Sequence, residues 1–375
     1  MNKARIIFIC TGVLIVVSLL TYLNYDKILN YFTNKEWEIA DSVGKIEIGN
    51  YLNMCGTNSN FFVIDSEGIT GYSNIVKENF SKGDLAFKDV ISESEADYAI
   101  IVDKDTANVY AISGNEIVWN THINNANILG AYINKNGYAA VIYSQTGYKS
   151  LIKVFSNTGE ELFTNFLAST YAIDVAISND NKILAIAEID TNGINVESRI
   201  KFVDIKNASE NSVKKYNLNA NELITDIEVG EANRLIIMTD IGIKSLKDEK
   251  INDVLNYEDE GILIANISNK KNIVAVRAEK EGLFNATSQL CIYDFNTQIE
   301  PKICEIEDVP NNVVCQKNII AADTGTEILF FNDSGKFLKK CEYKGQLRDI
   351  KFFDNGNMAV LIFRDFVDFI KVGGI

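Results

Sequence analysis

This sequence of 375 residues has little histidine or proline and no excess of positive charge. Its one histidine, His122, leaves little scope for imidazole acid–base catalysis or for a multi-histidine metal site. Lys and Arg number 36 against 51 Asp and Glu, and the formal net charge of −15 repels phosphate backbones. We therefore expect no nucleic-acid partner, and we identify no metal site, cofactor or catalytic residue.

Cysteine is present but follows no recognisable framework. The five cysteines beyond the first apolar run are an odd set without a Cys-x-x-Cys spacing, which predicts neither a zinc site nor a disulfide scaffold. Buried free thiols are therefore expected at Cys55, Cys291, Cys304, Cys315 and Cys341. One alternative stays open, because Cys291 and Cys304 could form a disulfide if they faced each other across neighbouring strands.

A single long apolar run lies near the amino end. Residues 6–23 carry no formal charge and would span about 27 Å as a helix, which is just enough to cross a bilayer. Lys3 and Arg5 precede the run and the charges after it nearly cancel, so the positive-inside rule places the amino end in the cytoplasm. A cleaved signal peptide is the alternative, but no small-x-small cleavage site follows.

The chain is therefore expected to divide into four segments in a single-pass arrangement at the cell membrane. These are a cytoplasmic stub over residues 1–5, a transmembrane anchor over 6–23, a linker over 24–35 and an extracytoplasmic body over 36–375.

The body is predicted to consist almost entirely of β-strands. Short runs rich in Val, Ile, Tyr and Phe alternate with Asn-Gly and Asp-Ser-Gly turns, and no long stretch has a helical period. The strands group by four, and the turn between the first two strands recurs about every 38 to 52 residues. These turns lie near Thr57, Glu95, Lys135, Asp180, Ala232, Lys270, Gln316 and Asn355.

Such a period is typical of propeller blades, so the sequence predicts an all-β fold, a β-propeller of four-stranded antiparallel blades. Eight turns predict eight blades, and seven is the alternative because the first unit is irregular. The last unit lacks an outer strand. We expect residues 36–40 to supply it, so that pairing of the two chain ends closes the ring.

Three segments carry a resemblance to a known family: residues 136–155, 174–193 and 348–363. They resemble an uncharacterised family of membrane-anchored β-propeller proteins of low-GC Gram-positive bacteria, and the resemblance extends over nearly the whole chain. It implies architecture and location but no activity, ligand or catalytic residue. The blades also resemble quinoprotein-type and WD-type propellers loosely, since Trp-Asp dipeptides are absent and Trp119 stands alone.

Almost every predicted second strand ends in an acidic residue. Carboxylates in this position could form a ring that binds Ca²⁺, or they could accept backbone hydrogen bonds in the following turns. We favour the turns, because no segment has the spaced oxygen ligands of a calcium loop. The acids are Asp65, Asp103, Asp190, Asp240, Glu279, Asp323 and Asp365.

Polar loops between second and third strands are the predicted binding surface, because loops of this kind on one face are how scaffolds bind partners. The opposite face has turns that we expect to be too short to shape a pocket. The candidate binding residues are Tyr143, Gln145, Tyr148, Asp190, Asn192, Phe284 and Arg364.

The sequence thus favours a non-catalytic recognition or scaffold module for a protein or cell-envelope component. The alternative is an extracytoplasmic enzyme of quinoprotein-like or carbohydrate-active type. A central channel lined by paired carboxylates would favour the enzyme, and a channel plugged by apolar side chains would favour the scaffold.

Overall fold

Hydrogen-bonded strands make up most of the described chain, as the short Val- and Ile-rich runs predict. The computed structural model describes residues 39–373 except 208–212, 269, 282–284 and 296–299. Within those residues, 32 strands form eight four-stranded antiparallel sheets. The protein is an eight-bladed β-propeller, which confirms the predicted fold class and decides for eight blades over seven.

The chain divides into two compact units, Met1–Ile39 and Ala40–Ile375, and the blades belong to the second. The expected anchor over residues 6–23 lies outside the described residues. In the part of the chain that the structure does describe, no helix is long and apolar enough to cross a membrane.

The first four blades follow each other along the chain after β1 (Ser42–Glu47), which joins the last blade. Blade 1 holds β2 (Tyr51–Gly56), β3 (Asn60–Asp65), β4 (Ile69–Ser73) and β5 (Glu78–Lys82). Blade 2 holds β6 (Val90–Glu95), β7 (Tyr98–Asp103), β8 (Asn108–Ser113) and β9 (Glu116–His122). Blade 3 holds β10 (Asn127–Ile133), β11 (Ala139–Gln145), β12 (Tyr148–Phe155) and β13 (Glu161–Leu167). Blade 4 holds β14 (Thr170–Ile177), β15 (Ile183–Asp190), β16 (Glu197–Asp204) and β17 (Lys214–Asn217).

The remaining blades continue the same order. Blade 5 holds β18 (Ile224–Val229), β19 (Leu235–Thr239), β20 (Gly242–Lys247) and β21 (Lys250–Asn256). Blade 6 holds β22 (Ile262–Ser268), β23 (Asn272–Glu281), β24 (Asn285–Asp294) and β25 (Lys302–Ile306). Blade 7 holds β26 (Asn312–Gln316), β27 (Ile319–Asp323), β28 (Glu327–Asn332) and β29 (Phe337–Glu342). Blade 8 holds β30 (Asp349–Phe352), β31 (Met358–Ile362) and β32 (Phe366–Lys371), with β1 as its outer strand. A turn of 3-10 helix, Glu231–Asn233, follows β18, and α1 (Tyr257–Glu260) follows β21.

The first strand of each blade is the innermost, and neighbouring first strands contact each other around the ring. Each predicted turn position lies at the end of a first strand or in its connection to the second. Gly137 shows why these turns use glycine: its φ is +81°, and a β carbon there would lie 2.6 Å from the ring of Tyr98 in blade 2. The turn therefore lets one blade approach the next closely.

Apolar side chains fill the spaces between neighbouring blades. Trp119 of blade 2 packs on Phe155 of blade 3, with ring centroids 5.3 Å apart. At the seam between blades 8 and 1, the ring of Phe61 lies 6.0 Å from that of Phe353 and 5.8 Å from that of Phe369. Burial of these rings supplies a large part of the energy that holds blade to blade.

Residues Ser42–Glu47 close the ring, so the assignment of this strand to residues 36–40 is wrong. β1 pairs antiparallel with β32, from Ser42 opposite Ile370 to Glu47 opposite Phe366. Ile46 packs into the cluster around Phe369, and this apolar contact selects the later segment. Of the expected strand, residues 36–38 lie outside the described residues.

The disulfide alternative for Cys291 and Cys304 is also wrong. The register of β24 and β25 pairs Cys291 with Ile303 and Leu290 with Cys304. Because adjacent residues of a strand point to opposite faces, the two thiols lie on opposite sides of the sheet. All five cysteines of the described chain are free thiols.

Candidate functional site

The two ends of the ring differ in how the chain crosses them. Connections from second to third strands and between successive blades emerge together on one face, which we call the loop face. Turns from first to second strands emerge on the opposite face, which we call the turn face. The binding residues predicted from the sequence belong to loops and strand ends of the loop face.

Exposed aromatic side chains cluster on the loop face of blades 3 and 4. Tyr148, at the start of β12, is 41% exposed, and its ring centroid lies 5.2 Å from that of Phe166 in β13. Tyr171 of β14 is also exposed. The amine of Lys149, the residue after Tyr148, lies over the Tyr171 ring and reaches Asn192 in the loop of blade 4. We define Tyr148, Phe166 and Tyr171 as the apolar surface. Phe166 and Tyr171 were not among the predicted binding residues, because they lie within strands and the prediction was confined to loops.

Lys149 joins this surface to the neighbouring loop. Its Nζ lies 4.7 Å from the centroid of Tyr171 and donates to Asn192 Oδ1 at 3.3 Å. Asn192 in turn donates from its backbone nitrogen to Asp190 Oδ1 at 3.0 Å, and this hydrogen bond lowers the pKa of Asp190. The structure therefore brings Tyr148, Asp190 and Asn192 into one neighbourhood.

The other predicted residues of blade 3 differ in their exposure. Gln145 is exposed at the end of β11 and pairs in register with Tyr148. Tyr143 is buried within β11, in the cluster between blades 2 and 3, so its assignment to an exposed loop is wrong. The pairing of β11 with β12 shifts register between Tyr143 and Gln145, and Gln145 lies at the exposed end of the strand.

Two predicted residues do not join the apolar surface. Phe284 lies outside the described residues. Arg364 is exposed on blade 8, where its Nε is 3.7 Å from Asp365 Oδ1. Beside it, the rings of Phe363 and Phe366 stack 4.5 Å apart and line a cavity of about 710 Å³ between blades 7 and 8.

Four of the acids at the ends of second strands, Asp65, Asp103, Asp190 and Asp323, accept backbone hydrogen bonds in the turns that follow. Asp65 Oδ1 accepts hydrogen bonds from the backbone nitrogens of Glu67 and Gly68, at 2.8 and 2.9 Å. Asp323 Oδ1 accepts from Gly325 N and from the hydroxyl of Tyr343, and burial together with this carboxylate raises the pKa of Tyr343. Among the residues that the structure describes, no three His, Cys, Asp or Glu side chains are grouped to hold a metal ion.

His122 is the last residue of β9. It is exposed on the outer strand of blade 2, and its Nδ1 lies 3.2 Å from Asn108 Oδ1. This contact pairs two outer strands and gives the imidazole a structural partner.

Five of the eight first strands contain a β-bulge in their loop-face half. Leu129, Ile173 and Leu263 are 46%, 41% and 56% exposed. Because neighbouring blades cover both sides of a first strand, we infer that these side chains face the central channel. We call these three residues the channel collar. The inserted residues of all five bulges are Leu52, Leu129, Ile173, Thr225 and Leu263.

Carboxyl groups face the channel next to the collar. Asp174 follows Ile173 directly, and its burial and its hydrogen bond to the Asp226 carboxyl raise its pKa well above the usual range. Glu93 of β6 is enclosed by the ring, which raises its pKa to about 7 despite the nearby Lys351 amine. The Asp226 carboxylate of blade 5 raises the pKa of Glu93 further.

Hydrogen bonds connect neighbouring turns on the turn face. Asn134 Nδ2 donates to Asn181 Oδ1 at 2.7 Å, and Asn179 Nδ2 donates to Gly230 O at 3.1 Å, which joins blades 3, 4 and 5. Ser268 Oγ donates to Lys317 O at 2.8 Å between blades 6 and 7. The turns therefore form a rigid rim.

This rim borders an open cavity of about 530 Å³, so the expectation that the turn face shapes no pocket is wrong. Although each turn is short, several of them converge on the channel axis, which the spacing of one turn could not show. Lys270 Nζ and Glu95 Oε1, from blades 6 and 2, pair at 2.5 Å in its wall. The lining also includes Lys135, Asn179, Asp180, Glu231, Asn233 and Lys317.

Solved structures share this fold at low sequence identity. The Dos1 propeller has a TM-score of 0.60 at 12% identity, covering 90% of this chain and 96% of that chain. A eukaryotic initiation factor has a TM-score of 0.55 at 12% identity, covering 83% and 81%. BamB from Moraxella catarrhalis has a TM-score of 0.51 at 11% identity, covering 90% and 99%. At such identities the likeness shows the propeller fold alone.

Sequence comparisons add one assignment. No curated protein matches the chain significantly. A family model, described as a family of unknown function, matches residues 30–372. That match extends over the entire propeller and begins ahead of its first strand.

Proposed function

Given that the chain belongs to the family of unknown function DUF5711, we propose that the protein is a non-catalytic recognition or scaffold module for a protein or cell-envelope component. The proposal includes its location: residues 6–23 anchor it in the cell membrane, and the propeller lies outside the cytoplasm. The charge-free run beside Lys3 and Arg5 supports this orientation.

The apolar surface of blades 3 and 4 is the observation that carries the recognition function. Tyr148 and Phe166 are large, exposed and in contact, and the exposed Tyr171 is connected to them through Lys149, whose amine lies over its ring. A tyrosine offers much contact area at a low cost in side-chain entropy. Clusters of exposed apolar side chains with a polar border mark interaction surfaces. Lys149, Asp190 and Asn192 form such a border here.

Crosslinking in the native envelope tests this surface. Full-length protein and a Tyr148→Ala, Phe166→Ala variant would be crosslinked in intact cells, and captured proteins quantified by mass spectrometry. We expect the double variant to lose the specific partner with an almost unchanged melting temperature, since exposed substitutions cost little stability.

A Val118→Ala, Ile303→Ala variant is the matched control, because both side chains are exposed and apolar but lie on the outer parts of blades 2 and 6. It should retain capture. Equal capture by the two double variants would show that the apolar surface is not the contact.

The Asp174–Asp226 pair favours a second candidate, an extracytoplasmic enzyme of carbohydrate-active type. Glycoside hydrolysis uses two carboxyl groups, one of them protonated near neutral pH. However, Asp174 already accepts the backbone nitrogens of Val175 and Ile227, at 2.8 and 3.0 Å, and the second bond ties blade 4 to blade 5. This structural task accounts for the buried acid, and recognition remains the first proposal.

A further inference from the structure

The channel collar consists of apolar side chains that the ring leaves exposed. Leu129, Ile173 and Leu263 belong to blades 3, 4 and 6, and each is the extra residue of a β-bulge in an innermost strand. A regular strand would direct these side chains into the packed space between blades, whereas the bulge redirects them. Three blades thus expose aliphatic groups at the loop-face end of one channel.

Acidic groups lie directly beyond this collar toward the turn face. Asp174 is adjacent to Ile173, and Asp226 follows the inserted Thr225 of blade 5, so the bulges themselves position the carboxyl pair. Asp226 and Glu93 are both reached by solvent inside the channel. From the loop face inward, the channel therefore presents first the three aliphatic side chains of the collar and then carboxyl oxygens.

We propose that the loop-face end of the channel binds a lysine or arginine side chain from a protruding segment of a protein partner. The aliphatic stem would contact Leu129, Ile173 and Leu263, and the cationic head would reach the Asp226 carboxylate. This deepens the recognition function proposed above by naming a second contact, and it does not depend on Tyr148 or Phe166.

The chemistry of the two layers selects this occupant. Lysine and arginine carry a long apolar stem and a terminal charge, which matches an aliphatic ring above an acid. An acidic side chain would meet repulsion from Asp226 and Glu93 together with the overall charge of −15. A neutral aliphatic side chain would fill the collar but bring no positive charge to the Asp226 carboxylate. Charge complementarity therefore argues for a basic segment.

The probe for this site is a labelled peptide, Gly-Leu-Lys-Leu-Gly with blocked ends, compared with the same peptide carrying acetyl-lysine. Fluorescence anisotropy of each peptide would be followed while purified full-length protein is added at low and at physiological salt. We expect the lysine peptide to bind at least about tenfold more tightly than the acetylated one, because acetylation removes the charge. Equal binding of the two peptides would overturn the proposal.

Two variants locate the contact. Asp226→Asn should weaken binding of the lysine peptide about tenfold, and Ile173→Ser should weaken both peptides. Asp248→Asn, the same change in an exposed outer turn of blade 5, is the control and should bind as the wild type does. Circular dichroism melts would verify that each variant folds.

The outcomes distinguish this proposal from the proposal that partners bind the apolar surface. If Asp226→Asn and Ile173→Ser both bind the lysine peptide like the wild type, the cation binds elsewhere and the channel is not the site. Loss of partner capture in the Tyr148→Ala, Phe166→Ala variant, with peptide binding intact, would confirm that the two contacts are independent.

Discussion

One buried carboxylate illustrates how single residues hold this ring together. Asp354 Oδ1 accepts from Gln316 Nε2 at 2.8 Å, while Oδ2 accepts from Ala96 N at 3.0 Å and from Lys317 Nζ at 3.1 Å. Its backbone nitrogen donates to Thr57 O at 3.1 Å. The side chain of this one residue of blade 8 therefore connects the turns of blades 7 and 2, and its backbone reaches the turn of blade 1. Hydrogen bonds to a buried charge are among the stronger ones.

Other carboxyls that the ring encloses make stability depend on pH. Burial raises the pKa of Glu93 and of Glu228 to about 7, and it also raises that of Asp174. These groups are protonated in the folded ring at a pH where the unfolded chain has released its protons. Their contribution is complete below the ordinary carboxyl pKa of 4.5 and is lost as pH rises through about 7.

We therefore expect the urea midpoint of unfolding to fall between pH 5.5 and pH 8. Glu228→Gln should reduce that fall, because the amide cannot ionise. The substitution also breaks no hydrogen bond at Oε2, since that oxygen of Glu228 has no hydrogen-bond partner among the described residues. The check is urea unfolding of both proteins across this range. Glu249→Gln, an exposed acid whose pKa the Lys214 amine lowers, serves as control and should leave the slope with pH unchanged. Identical pH dependence of the wild type and Glu228→Gln would contradict this assignment.

At the scale of elements, the seam in blade 8 is where the two ends of the propeller meet. β1 contributes the outer strand, and β32 lies between β1 and β31. Asp368 of β32 accepts from Ser42 Oγ at 2.5 Å and pairs with Lys45 Nζ at 3.1 Å. Pairing of distant chain segments removes two unpaired strand edges and makes each end depend on the other.

Deletion of residues 365–375 should accordingly abolish cooperative unfolding or lower its midpoint strongly. The deletion removes β32, separates β1 from β31 and exposes the apolar cluster of Phe61 and Phe353. Differential scanning calorimetry would record the transition, and Arg364→Ala, which changes only an exposed side chain, is the comparison. A melting curve like that of the intact protein would rule out a closed seam.

At the scale of the whole molecule, the charge of −15 and the apolar amino-terminal run place separate demands on the protein. The acidic body is suited to remain soluble near an anionic surface, because like charges keep it from adsorbing. The run over residues 6–23 is suited to hold it at a membrane. The proposed arrangement meets both demands with one span.

The topology has a direct test in cells. If the proposed topology is right, protease added to intact cells from which the wall has been stripped should digest the propeller and spare an amino-terminal tag, since Lys3 and Arg5 favour a cytoplasmic amino end. A cytoplasmic marker protein must survive the same treatment. Protection of the propeller until detergent is added would show that the body lies in the cytoplasm.

The sequence by itself determined the strand content and the grouping by four, and it favoured eight blades over seven. These follow from local properties: β-branched and aromatic runs, turn residues and a period of about forty residues repeat along the chain. The acids after second strands were also predictable, because Asp65 and Asp323 bond to backbone only two or three residues away. In each case the interacting groups are close in sequence.

Only the tertiary structure decided which distant residues meet. Ser42–Glu47 rather than an earlier segment closes the ring because Ile46 fits the apolar cluster of blade 8, a contact between chain ends. Phe166 and Tyr148 become one surface through the pairing of β12 and β13, and Asp174 meets Asp226 through the packing of blade 4 on blade 5. Such contacts depend on register and on ring geometry, and neither is encoded in the local spacing of residues.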